Sequence, residues 1–294
     1  MTSISAVSGP RLAMHMRRKR VNTVALTLAF GAMVFGVFWL VWILFETIVL
    51  GAGGMSWALL TQSQPGPNSE GGGLSNAIFG SLAMVGFATL IGTPIGVFSG
   101  IYLAEYGQKG WLGSTTRFIN DILLSAPSIV IGLFVYALIV VPMKSFSGWA
   151  GSIALAMIVI PVVIRTTESM LNLVPHALRE AAYALGTPKW KVISSVTLRA
   201  ARSGVITGVL LAIARISGET APLLFTILTV EQTNSNLFSG PDTALPFQIF
   251  SNAQSAYTGA EARAWGAALT LVAITFILMI VARIITALFT RNTR

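Results

Sequence analysis

The sequence predicts an all-α membrane protein with six transmembrane helices and both termini in the cytoplasm. Three observations lead to this prediction. Of the 294 residues, 54% are hydrophobic and 10% are charged, whereas a soluble domain carries about 25% charged residues. Six apolar runs are long enough to cross a bilayer, which takes about 20 residues. Basic residues concentrate in alternate connections between the runs, as they do in cytoplasmic loops.

The apolar runs set the order of the predicted helices. They cover about residues 22–50, 76–103, 118–142, 149–171, 203–229 and 265–289. The first run is too long for the apolar region of a signal peptide, and no small-residue cleavage site follows it cleanly. We therefore expect a retained helix.

Lysine and arginine are unevenly distributed between the connections. With six spans, fourteen of these residues lie on the side of the two termini and two, Lys144 and Arg263, lie on the other side. This excess predicts cytoplasmic termini. The opposite connections are acidic or neutral and contain Glu70, Glu231, Asp242 and Glu261.

The connections also suggest a division of the chain. In order, it comprises a basic cytoplasmic tail (1–21), a first transmembrane helix (22–50), an external loop (51–74) and a membrane core (75–290). Pro, Gly and Ser are abundant at 61–76, which is typical of a flexible linker, so we place a module boundary near residue 74. Residues 245–257 form either a short interfacial or re-entrant helix or an ordinary surface loop.

Several functional classes are excluded by composition. The chain has no cysteine and only two histidines, His15 and His176, so disulfides and thiol catalysis are excluded and a metal site is not expected. The net charge of +9 follows membrane topology and not a nucleic-acid-binding domain. No G-x-x-x-x-G-K-[ST] phosphate loop is present, so any ATP hydrolysis is expected in another subunit. We expect no catalytic residue and no cofactor.

Two charged residues stand inside the fifth apolar run, in ARISGETAPLLFT (214–226). Arg215 and Glu219 each cost about 2.5–3.5 kcal/mol to insert at mid-membrane, and their spacing places them on one helix face. Either the charges neutralise each other within the packed bundle, or they line a water-filled path. A guanidinium matches the donors that a tetrahedral oxyanion needs. The carboxylate accepts a hydrogen bond from hydrogen phosphate but repels fully ionised sulfate.

A second charged pair, Arg165 and Glu168, lies near one end of the fourth run. At a spacing of three residues the two side chains share a helix face. They form either an inner gate or an anchor at the level of the lipid headgroups, where charged side chains reach water at little cost.

The fourth connection, LREAAYALGTPKWKVISSVTLRAARSG (178–204), predicts a helix, a sharp turn and a second helix. Gly186 suits the left-handed position after a helix end. Thr187 suits an N-cap, and Pro188 suits the first helical position. A plain surface hairpin fits the same pattern.

This connection resembles the EAA loop of permease subunits in binding-protein-dependent ABC importers. The matching residues are Glu180, Ala181, Ala182 and Gly186. Val196 and Leu198 continue the family pattern, and Arg199 replaces its proline. The resemblance implies that the loop 178–200 is a coupling helix that docks on a separate ATPase subunit.

Further segments resemble the PstA family of phosphate-specific permease subunits. They are ARISGETAPLLFT, GIYLAEYG (100–107), GGGLSNAIFGSL (71–82) and APSIVIGLFVY (126–136). The resemblance implies the bundle of a type I importer in a bacterial cytoplasmic membrane, with alternating access. Arg215 and Glu219 would serve phosphate passage, and Ser217 and Thr220 would add hydroxyl contacts.

The family also implies partners. They are a homologous PstC-like permease, a dimer of PstB-like ATPase subunits, an external PstS-like phosphate-binding protein, phosphate itself and membrane lipid, with no nucleic acid. Three alternatives stay open: a permease for another oxyanion such as sulfate, molybdate or phosphonate, the sister permease PstC, and an ion channel or scaffold without an ATPase. The EAA spacing argues against the last.

Overall fold

The computed structural model describes residues 9–65, 72–228, 236 and 240–291, which contain helices and no strand. In chain order the helices are α1 (Gly9–Gly54), α2 (Trp57–Thr61), α3 (Ser75–Glu105), α4 (Trp111–Ser125), α5 (Ser128–Met143), α6 (Gly148–Asn172), α7 (His176–Ala184), α8 (Lys189–Ser217), α9 (Leu245–Ala253) and α10 (Thr258–Arg291). The all-α prediction is confirmed.

Five of these helices are long and apolar enough to cross a membrane, and α4 with α5 forms a sixth candidate span. This sixth candidate is broken, since its two helices meet at 105°. The prediction of one continuous helix over 118–142 is therefore wrong. Pro127 disfavours helical backbone at the preceding residue, and Ala126 is accordingly extended, with ψ 133°.

The predicted fifth span, 203–229, is also wrong at both ends. Helix α8 begins earlier, at Lys189, and ends at Ser217. Gly218 leaves the helix, and a short 3₁₀ turn follows at Leu223–Phe225. Pro222 explains why the helix does not resume, because proline has no amide hydrogen to donate.

The described chain divides into two compact units, residues 1–49 and 50–294. The first unit is the body of α1, which begins before the predicted span, and its apolar side chains are exposed. The compact units divide at residue 49, and the module boundary near residue 74 stays a prediction. Leu59 and Leu74 explain the difference, because both are buried in one cluster with residues of α3, α9 and α10.

The core of the second unit is the packing of α3 against α6. Small residues recur every fourth position along α3 and stand opposite larger residues of α6. The facing sets are Gly92, Gly96 and Gly100 on α3, and Val159, Val163 and Thr167 on α6. A Cβ atom added at these glycines would approach the α6 side chains to between 2.6 and 3.0 Å. Glycine therefore allows the two backbones to lie close together, as at other membrane helix interfaces.

We expect Gly96→Ala to lower the free energy of unfolding by about 1–3 kcal/mol, because the methyl group overpacks the interface. Gly86 is the matched control on the same helix, since its Cβ would have nothing within 4 Å. Gly86→Ala should be neutral or stabilise the helix by up to about 1 kcal/mol. Thermal unfolding of the purified variants measures the difference. Equal stability of Gly96→Ala and wild type would contradict the packing described.

Candidate functional site

Arg215 occupies the last turn of α8, and Glu219 lies just beyond the helix end. The predicted common helix face is therefore wrong, although the two side chains do meet. The Nε of Arg215 lies 3.4 Å from the Oε1 of Glu219. The turn brings them together, since the amide of Glu219 donates to the carbonyl of Ile216 at 3.3 Å.

The ion pair leaves most of the Arg215 guanidinium unused. Its separation of 3.4 Å exceeds the 2.7–2.9 Å of a tight charged hydrogen bond. Within the described ranges only Nε of Arg215 has a partner, and its side chain is 55% exposed. The two Nη groups therefore present the planar donors that bind an oxyanion bidentately.

Ser217 and Thr220 differ from each other in what they offer. The Ser217 hydroxyl is buried and donates to the carbonyl of Ile213 at 2.8 Å, so its proton is already committed. Thr220 uses its carbonyl to begin the turn, accepting from the amide of Leu223 at 3.0 Å. Its half-buried side chain lies next to Glu219 in the chain.

The bend between α4 and α5 lies against Arg215. Arg215, Ala126 and Ser128 line one small cavity of about 20 Å³, which is enough for a single water molecule. The first turn of α5 begins at Ser128, and the N-terminus of a helix favours an anion. Sequence reasoning missed Ser128. The available signal was Pro127 within an apolar run, which marks a helix break at membrane depth.

Helix α5, which follows the bend, and the turn after α8 also pack directly on each other. A Cβ at Gly132 of α5 would lie 2.6 Å from the Cα of Pro222. Glycine at this position therefore lets the turn after α8 rest on α5. The contact fixes the turn that carries Glu219 relative to the bend.

Arg165 and Glu168 pair with α4 and not with each other. Glu168 is buried and accepts from the Nε of Arg117 at 2.7 Å. Arg165 approaches Asp121 at 3.8 Å, and both of those side chains are exposed. The four charges join α4 to α6. The alternatives of an inner gate and an anchor stay predictions.

The predicted helix, turn and helix at 178–204 are confirmed as α7 and the start of α8. Gly186 has φ +74°, the left-handed conformation expected after a helix end. The cap assignment is wrong by one residue, since Pro188 precedes a helix that begins at Lys189. Residues Glu180 and Ala181 are exposed and Ala182 is buried.

A charge network at the end of α3 holds this element in place. The buried guanidinium of Arg179 donates to Glu105 Oε1 at 3.0 Å and to the carbonyl of Val174 at 2.8 Å. Lys189 donates to the Glu105 carbonyl at 2.7 Å and lies 4.0 Å above the ring of Tyr106. The cations thus bind a helix C-terminus, which favours positive charge. Sequence reasoning did not identify Glu105, although its place at the end of GIYLAEYG was a signal.

The segment before α9 contains a buried carboxyl group. Asp242, predicted within an external connection, is 1% exposed. Its Oδ1 accepts from the amide of Thr243 at 2.8 Å, and its Oδ2 has no partner among the residues that the structure describes. Gln248 of α9 donates to the Thr243 hydroxyl at 2.8 Å. Burial raises the pKa of Asp242 because the carboxylate loses hydration, and the hydrogen bond from Thr243 opposes this only in part. The helix alternative for 245–257 is confirmed over Leu245–Ala253.

Other predicted features fall outside the described residues or form no site. Glu70 and Glu231 lie outside them. In the part of the chain that the structure describes, no three histidine, aspartate or glutamate side chains are grouped as metal ligands.

Comparison with known proteins gives consistent matches. A family described as "Binding-protein-dependent transport system inner membrane component" matches residues 92–294. The phosphate transport system permease protein PstA of Yersinia pestis is 57% identical over 270 residues, covering 92% of this chain and 91% of the relative. PstA of Pasteurella multocida is 54% identical over 267 residues, with 91% and 95% covered. PstA 1 of Mycobacterium tuberculosis is 37% identical over 288 residues, with 95% and 92% covered.

Solved transporters share the fold. The inward-facing MetNI methionine ABC transporter superposes with a TM-score of 0.57 at 22% identity, covering 73% of this chain and 95% of that chain. A bacterial ABC transporter for import of the acidic polysaccharide alginate gives a TM-score of 0.59 at 12% identity, covering 94% and 98%.

We expect Asp242→Asn to stabilise the protein at neutral pH. Because the pKa of Asp242 is higher in the folded chain than in the unfolded chain, the folded state binds the proton more tightly. Stability is then lost as the pH rises from the ordinary carboxyl range through the raised pKa. The amide removes this loss, and each 1 kcal/mol gained would raise the melting temperature by about 2–4 °C.

Melting temperatures across a pH series measure this effect. The gain in Asp242→Asn should shrink as the pH falls toward the ordinary carboxyl range. Glu261→Gln is the control, since Glu261 is exposed and forms no ion pair within the described ranges. A lower melting temperature for Asp242→Asn at every pH would show that a charged carboxylate is needed there.

Proposed function

Since the chain belongs to the family of binding-protein-dependent inner membrane permeases, and within it to the PstA phosphate permeases, we propose that it translocates inorganic phosphate as one subunit of an ATP-driven importer. Its apolar helices make it a multi-pass protein of the inner membrane. The observation that carries the proposal is the uncommitted pair of Nη groups on Arg215, at the broken end of a membrane helix.

The substrate path is proposed to pass the exposed face of Arg215. The cavity of about 20 Å³ between Arg215 and Ser128 is too small for a phosphate ion, so phosphate reaches the guanidinium from its exposed side. Arg215 supplies paired donors, the N-terminus of α5 favours negative charge, and Thr220 adds a hydroxyl group. A homologous permease subunit forms the other wall of the path.

Glu219 supports phosphate over other oxyanions. The Glu219 side chain is 17% exposed and pairs with Arg215, whose side chain is 55% exposed. An anion bound by the guanidinium would therefore lie next to the Glu219 carboxylate. Hydrogen phosphate can donate a hydrogen bond to that carboxylate. Sulfate has no proton to donate at neutral pH and is repelled. A permease for sulfate is therefore less consistent with this arrangement. A PstC-like subunit would share the arginine and the glutamate, and the segments ETAPLLFT and GGGL favour PstA over it.

We propose that α7 and the start of α8 couple the permease to ATP hydrolysis. The exposed Glu180, Ala181 and Gly186 form the surface that docks on a cytoplasmic ATPase subunit, and buried Ala182 holds it to the bundle. Leu185 is 86% exposed and Trp190 is 67% exposed, and such apolar side chains fit a protein interface. ATP binding and hydrolysis in the ATPase dimer drive the helices between outward and inward states.

The proposal includes a membrane topology and an external partner. Both termini, the tail 1–21 and the coupling loop 178–200 lie in the cytoplasm. The loop 51–74 and the segment before α9 face the phosphate-binding protein that delivers the substrate. The membrane core spans residues 75–290.

We expect Arg215→Gln to reduce phosphate uptake at least tenfold, because a charged hydrogen bond to the anion contributes about 1.5–3 kcal/mol. Uptake of radiolabelled phosphate is measured in cells whose only phosphate importer contains this subunit. The membrane abundance of each variant is measured in parallel.

The matched control is Lys109→Gln, which removes one exposed positive charge away from the proposed path. It should transport at the wild-type rate, and excess sulfate should not compete with phosphate. Undiminished uptake by Arg215→Gln at normal abundance would contradict a transport role for Arg215. It would favour the alternative in which Arg215 and Glu219 only neutralise each other within the packed bundle. Competition by sulfate would favour an importer for another oxyanion.

We expect Leu185→Ser to weaken assembly with the ATPase subunit roughly tenfold, because a buried leucine contributes about 1.5–3 kcal/mol to an interface. Co-purification and ATP hydrolysis by the assembled transporter report this loss. Leu112→Ser is the control, since Leu112 is also exposed, at 48%, but lies on α4. Normal assembly of Leu185→Ser would exclude Leu185 from the docking surface.

A further inference from the structure

An open groove runs between α8 and α10, and one end of it adjoins the turn that follows α8. Its wide part has a volume of about 640 Å³ and is mostly apolar, lined by Gly218, just past the end of α8, and by Leu271 and Phe276 of α10. A second part of about 350 Å³ adjoins it. Met279 and Arg283 line both parts, so the two form one continuous groove.

The two ends of the groove differ in chemistry. Toward Gly218 the lining is apolar. Arg283 stands where the two parts meet, and the second part adds the hydroxyl-bearing residues Ser203, Thr207 and Thr286 to an otherwise apolar lining. This second part lies toward the start of α8, the end that carries α7 and that the proposed topology places at the cytoplasmic surface.

Arg283 carries a charge that the described residues do not neutralise. It stands in the last turns of an apolar span, its side chain is exposed, and it forms no ion pair with a carboxylate in the described ranges. A charged residue within a membrane helix normally pairs with another group or reaches the interface. Here the guanidinium lines the groove where its apolar part meets the part with hydroxyl groups, so a ligand with one anionic end and one apolar end complements it.

We propose that this groove binds an anionic phospholipid, with an acyl chain along the apolar part and the headgroup phosphate at Arg283. Basic pockets between helices on the cytoplasmic side are suited to such headgroups. Inorganic phosphate matches only Arg283 and leaves the apolar part unfilled. Arg215 is not among the residues that line the groove, so the lipid site and the phosphate site use different guanidinium groups. Lipid bound at Arg283 would make the position of α10 against α8 depend on the charge of the surrounding lipid.

Native mass spectrometry of the assembled transporter tests the proposal. The protein is reconstituted in nanodiscs of phosphatidylglycerol and phosphatidylethanolamine in equal parts, and retained lipids are counted. The wild type should retain phosphatidylglycerol in preference. Arg283→Gln should reduce that preference about fivefold, the contribution of one cation near the membrane surface. Lys109→Gln removes an exposed positive charge outside the groove and should leave the preference unchanged.

Further experiments distinguish a lipid from other occupants of the groove. Thr275 lines the wide part, so Thr275→Trp should reduce retention of lipid by narrowing it, with phosphate uptake as a check on folding. Excess inorganic phosphate should leave lipid retention unchanged. Displacement of lipid by inorganic phosphate, equal preference in Arg283→Gln and wild type, or a photo-crosslink from position 275 to a polypeptide would each overturn the proposal.

Discussion

The close approach of α3 and α6 at three glycines is the contact on which the rest of the second unit depends. Because no side chain separates the backbones there, the two helices form a rigid pair that positions the remaining elements. Helix α6 carries the charges that hold α4, and α3 ends in the carbonyl and carboxylate of Glu105 that hold α7 and α8. A change in the packing of α3 against α6 would therefore alter the positions of both proposed functional regions, the one around Arg215 and the one at α7.

Broken helices explain how charge is accommodated inside the apolar bundle. Backbone groups released at membrane depth need partners or a water-lined surface, and the chain places its two breaks next to each other. The bend at Pro127 and the turn after Ser217 meet through Gly132 and Pro222. Arg215 lies beside both breaks. Its guanidinium therefore has helix ends next to it in place of an unbroken apolar helix.

Sequence patterns predicted the number of apolar spans and the left-handed Gly186, because each depends on composition or short-range spacing, and they left open whether Arg215 pairs with Glu219. They did not predict that α8 runs from Lys189 to Ser217, since apolar residues continue past the break at Gly218. Nor did they predict the partners of Arg165 and Glu168. Both residues pair with α4, and only the 105° bend brings that helix alongside α6. The burial of Asp242 likewise depends on tertiary packing against Gly80, which no local pattern records.

Helix α8 continues from Lys189 to Ser217 through a π-helical turn at Ile193–Thr197, and its length has a mechanical consequence. Its 29 residues from Lys189 to Ser217 span roughly 43 Å at 1.5 Å per residue. One end lies in the network around Glu105, and the other carries Arg215. A pivot of the whole helix by about 5° at its base would move its far end by roughly 4 Å over this length. Such a displacement exceeds the length of a hydrogen bond, so under the proposed function a small rotation at the end near Glu105 would suffice to bind or release phosphate at Arg215.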